Sequence, residues 1–112
     1  MLDTTPLLAA VDRFADRLRA APQSRLQRGA AAEGLALARE LAERAQRIET
    51  PDEQPRVMPD VGVFAVADQL AVAGHDLAEA LRLAGDMAAA PSRELLDEAV
   101  ELVEAAAVRA RL

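Results

Sequence analysis

The sequence predicts an all-α protein: a single-domain four-helix bundle with its helices antiparallel in up-down-up-down order. Three observations carry this expectation. Apolar residues recur at spacings of three and four in four separate stretches, the period of a helix face. No stretch alternates apolar and polar residues as a half-buried strand would. Each periodic stretch is bracketed by proline, glycine or a short polar residue, the punctuation that starts and stops helices. A length of 112 residues suits one domain with one core.

The first helix is expected over 6–21. Pro6 suits the first helical position with Thr5 as N-cap. Leu7, Val11, Phe14 and Leu18 make one apolar face, with Asp12, Arg13, Asp16 and Arg17 on the solvated side. Pro22 disfavours a helical Ala21 and turns the chain. Ser24 with Gln27 resembles a capping box opening a second helix over 25–49. Leu26, Ala30, Leu37, Leu41 and Ile48 form its main face. Ala31, Leu35, Ala38 and Ala42 widen the arc enough to touch two neighbours. Glu40–Arg44 and Glu43–Arg47 stand at i,i+4, acid first. Gly29 and Gly34 lower helix propensity, so either the helices approach closely there or the backbone is irregular.

Pro51, Pro55 and Pro59 mark residues 50–59 as a linker, with Val57 and Met58 tucked against the bundle end. Ten extended residues reach about 35 Å, short of a return along the second helix, so the third helix is expected antiparallel to the second. It spans 60–85, from an Asp60 N-cap to Gly85 in the left-handed C′ position. Its seam is Val63, Val66, Leu70, Ala73, Leu77, Leu81 and Ala84. The fourth helix, 91–111, buries Leu95, Ala99, Leu102 and Ala106, with Leu96, Val103 and Ala110 alongside. Acids at its start and arginines at its end match the helix dipole.

Of the apolar residues, which make up 52% of the chain, 27 are alanine, so the core is thin and association is an expected source of stability. The net charge of −6 and the lack of tryptophan and tyrosine argue against a nucleic-acid partner. No 18-residue apolar run exists, so no membrane span is expected. Without cysteine there is no disulfide framework and no thiolate chemistry, and a cytoplasmic setting is expected. Residues 1–30 carry five arginines against three acids, and residues 50–112 twelve acids against five arginines. Complementarity between the first and fourth helices is the simplest use of that imbalance.

Catalytic constellations are sparse. Glu40-x-x-Glu43 and Glu94-x-x-Asp97 have a spacing suited to a magnesium site, but all four point away from the apolar faces and do not converge. A di-metal bundle needs Glu-x-x-His on two helices, and this chain has a single histidine with Val72 three residues before it. Ser24 and Ser92 stand at helix starts, where serine caps. No catalytic residue, cofactor or metal is expected, and the chain is read as non-enzymatic.

The candidate interface is a second stripe on the third helix: Phe64, Asp68, Ala71, His75, Glu79 and Arg82, with Ala78 between. It holds the only histidine and one of two phenylalanines on a face the core does not need. The expected function is a helical interaction protein, homo-oligomeric or docking another protein. In a two-fold crossing near Ala71 and Val72, Asp68 would face His75 of the second copy and Phe64 would face Glu79. The alternative is a small-molecule- or metal-binding bundle using Asp68, His75, Glu79 and Arg82.

Overall fold

The computed structural model describes residues 1–112 and is an all-helical four-helix bundle, 45 × 27 × 17 Å. Helix α1 is Thr5–Ala20. Its first turn is held by the Asp3 carboxylate, which accepts the Thr5 backbone N–H at 3.0 Å. Hydrogen bonding from Thr5, by its side chain first and then by its backbone N–H, holds Asp3 below the ordinary carboxylate value. Helix α2 has three pieces: a turn at Gln23–Arg25, a π turn at Leu26–Ala30, and a long stretch at Ala31–Glu49. Helix α3 is Val66–Gly85 and helix α4 is Ala89–Ala110. The expected Ser24 cap makes no side-chain bond; the turn starts one residue before it.

The two questionable glycines of α2 have different jobs. Gly29 has φ 148° and ψ −16°, outside helical space, and it is where the axis kinks. Gly34 is helical, and a Cβ there would stand 2.7 Å from Val66 Cγ1. It lets α2 and α3 approach closely.

The core is one cluster of 28 buried residues drawn from all four helices. Helix α3 is its centre, touching each of the other three. Val66, Leu70, Ala73, Leu77 and Leu81 of its expected seam are buried. Helix α1 packs on α3 and α4, while α1 and α2 meet little beyond their junction. On α4, Leu96, Ala99, Val103 and Ala106 face inward, whereas Leu95 is 39% exposed and Leu102 half-buried.

The order of helix directions differs from expectation. The contacts Arg19–Asp68, Asp12–His75 and Leu2–Gly85 step up α1 as they step down α3, so these two helices are antiparallel. Arg44–Glu98 and Glu33–Arg109 make α2 and α4 antiparallel in the same way. Gly34 meets Val66, however, and Ala45 shares a cleft with Ala80, so α2 and α3 run parallel. The bundle is therefore up-down-down-up. The long connection makes this possible: residues 60–65 belong to the linker, which covers residues 50–65. Asp60 does not cap a helix; its carboxylate accepts the Gly62 N–H at 3.0 Å in a turn where Gly62 has φ 106°. Sixteen residues reach about 55 Å, ample for the return from Glu49 to the level of Gly34, about 22 Å at the helical rise.

The linker runs back along α2 and is bonded to it. The Gln46 side chain accepts the Arg56 N–H at 2.8 Å, and Arg39 Nε donates to the Met58 carbonyl at 2.8 Å. Gln69 Nε2 donates to the Pro59 carbonyl at 2.9 Å, tying the linker to α3 as well. Met58 packs partly against the core, but Val57 is exposed rather than tucked. Gly85 closes α3 without a left-handed conformation; it is small because Leu2 packs over it, 3.0 Å from where a Cβ would be.

Candidate functional site

Helix α3 presents Asp68, Val72, His75, Asp76, Glu79 and Leu83 to solvent. This face is rotated from the expected stripe toward α2. Ala78 is buried and Ala71 half-buried because both turn toward α1. Four members of the expected stripe are held within the chain, two of them across the α1–α3 border and two by each other. Arg19 Nη2 donates to the Asp68 carboxylate at 2.9 Å, and this bond holds the guanidinium above its ordinary pKa. His75 Nε2 and the Asp12 carboxylate are 3.1 Å apart. Arg82 and Glu79 pair along α3 at 2.6 Å, which raises the Arg82 pKa. Phe64 precedes the helix, in the turn before Val66, and is 70% exposed.

These partners bear on both chemical readings. Asp68, His75, Glu79 and Arg82 are engaged in three separate pairs and do not converge. No group of three or more His, Asp or Glu side chains is placed to hold a metal ion. All these pairs are exposed, where water screens such contacts and they stabilise little. Arg19–Asp68 and His75–Asp12 orient α1 on α3, while Arg82–Glu79 lies within α3. Nor does the charge imbalance serve α1 and α4. The inter-helix ion pairs are α1–α3 and α2–α4.

Between α2 and α3, where the linker departs, lies an open cleft of about 750 Å³. Its floor is Ala42, Ala45, Ala80 and Leu83, and its rim carries Glu49, Glu53, Asp76 and Glu79 against Arg56. Leu83 and Glu79 connect this cleft to the outward face of α3. The exposed Val72 and Leu83 stand on that face three turns apart, about 16 Å. Leu83 lies outside the expected stripe, although it keeps helical period with Val72 and Glu79.

No protein-family model, no curated protein and no solved structure matches this chain significantly. No helix is long and apolar enough to cross a membrane.

Proposed function

We propose that the protein is a non-enzymatic interaction module that associates with a second copy of itself through the outward face of α3, in a cytoplasmic setting. The observation behind this reading is apolar surface left outside a finished core. All four helices bury their seams, yet Phe64, Val72 and Leu83 stay exposed on and beside the central helix. Single exposed apolar residues are ordinary; three along one helix and the turn before it offer a contact. A two-fold pairing of α3 with its copy brings Val72 and Leu83 to the axis region. Asp68 and His75 remain with Arg19 and Asp12, so the reciprocal Asp68–His75 register expected from sequence has lost its basis.

Sedimentation velocity at roughly 50 µM, which populates any contact of micromolar affinity, tests the reading. A wild-type dimer that becomes monomeric in Phe64→Glu and Val72→Glu is the expected result. A wild-type monomer, or a dimer indifferent to both substitutions, refutes it.

A further inference from the structure

The two ends of the bundle differ in charge. The cut runs at the level of the His75–Asp12 pair. The half holding the α1 and α4 C-termini carries eight arginines against seven acids, and the other half five arginines against twelve acids. Within the first half, a groove of about 310 Å³ runs between α1 and α4. Its floor is apolar, from Ala10, Phe14, Val103 and Ala107. Arg13, Arg17 and Arg111 stand around it, and Glu104 is the single acid lining it. None of these three arginines forms an ion pair within the chain. Unpaired guanidinium groups beside desolvated apolar floor suit an anionic partner that also brings an apolar side chain.

The far end of the molecule carries such a feature. At the α3–α4 corner Met87 is 91% exposed, followed by the small exposed Ala88, Ala89 and Ala90. Asp86 precedes it, and Glu94 and Asp97 stand exposed on the first turns of α4 without a salt-bridge partner. A long, unbranched, adaptable side chain flanked by carboxylates complements an apolar groove rimmed by arginine. We propose that the α1–α4 groove receives the Met87 corner of a second copy, with Asp86, Glu94 and Asp97 meeting Arg13, Arg17 and Arg111. Groove and corner are different surfaces at opposite ends, so the contact is heterologous and repeats from copy to copy into a ring or filament. The inference shares with the proposed function only the premise of self-association. It uses neither Phe64 nor Val72.

Sedimentation and light scattering at about 0.02 M and about 0.5 M salt, where the screening length falls from roughly 20 Å to roughly 4 Å, test it. The Phe64→Glu background removes the α3 contact, so that any remaining assembly is read separately. At low salt, species that grow with protein concentration and disperse at high salt are expected. A groove variant, Arg13→Glu with Arg17→Glu, and a corner variant, Asp86→Arg with Glu94→Arg, should each assemble at least about tenfold more weakly. Mixed together they should assemble again with the two variants alternating, because the reversed groove matches the reversed corner and the intact corner still matches the intact groove. Met87→Ser should weaken the low-salt assembly although it changes no charge, and circular dichroism checks that every variant remains helical. Assembly unaffected by the two reversals, a failure of the mixed variants to assemble, or no low-salt assembly by Phe64→Glu with groove and corner intact overturns the proposal.

Discussion

Leu77 is 1% exposed at the middle of the central helix, and its position was legible from spacing alone. Replacing it by alanine removes buried methyl groups and leaves a void, so Leu77→Ala should cost about 2–5 kcal/mol in chemical denaturation. A cost within about 0.5 kcal/mol, the range of surface sites, would contradict the packing described. Gly74 is the opposite case. In sequence it is one more weak helix former, and periodicity says nothing about how near a neighbour stands. In the structure a Cβ at Gly74 would meet both Val11 methyl carbons, at 2.6 and 2.7 Å. Val11 is β-branched and cannot swing aside. Gly74→Ala gains about 1 kcal/mol of helix propensity against about 1–3 kcal/mol of overpacking, so it should destabilise or at best break even. The same substitution at a helical glycine with open space would stabilise. Gly29→Ala has room around it but not the backbone: at φ 148° it should cost about 1–3 kcal/mol in strain. Thermal or denaturant melts of the two variants check both statements.

At the scale of elements, four helices were readable because their seams repeat over several turns, and their ends were less so. Asp60 looked like a cap for α3, but Gly62 follows it closely and the Asp60 side chain satisfies a turn instead. That displaced the start of α3 to Val66 and took Phe64 off the helix. On α4 two overlapping apolar arcs were present, and only the neighbours α1, α2 and α3 decide that Leu96 rather than Leu95 is covered. The linker is an element in its own right, fastened by side chains at Arg39, Gln46 and Gln69. Gln46→Ala removes its bonds to both backbone groups of Arg56. Because those groups can turn to water, the cost in global stability should be about 1 kcal/mol. Amide exchange and proteolysis over residues 50–58 should accelerate well beyond that, since local opening no longer has to break the clamp. Unchanged exchange at Arg56 would show that Gln46 does not hold it.

For the whole molecule, the bundle class followed from sequence and the direction of α3 did not. Direction depends on linker reach: ten residues from 50 to 59 do not span a return along the whole of α2, and the sixteen from 50 to 65 do. The same six residues account for much of the difference between the expected stripe and the exposed face of α3. A helix begun at Asp60 would have carried Phe64 in line with Asp68, and the parallel packing of α2 on α3 leaves Val72, Glu79 and Leu83 as the outward line instead. The pairs within α2, Glu40–Arg44 and Glu43–Arg47, were legible from spacing and form, but which acids and bases pair between helices was out of reach. Arg19 lies 49 residues from Asp68, and Asp12 lies 63 from His75, so only the register of α1 on α3 brings them together.

The up-down-down-up order also determines how the molecule carries tension. Helices α1 and α4 are parallel neighbours, so residues 1 and 112 lie at opposite ends of the bundle and a pull between them slides α1 along its neighbours. Sliding loads the whole row of packed side chains at once. A pull between residue 1 and residue 88, which share an end because Leu2 packs on Gly85, peels α1 away one turn at a time. Single-molecule stretching should therefore find a higher rupture force across the termini than across residues 1 and 88. An all-antiparallel bundle, with both termini at one end, would lack that difference.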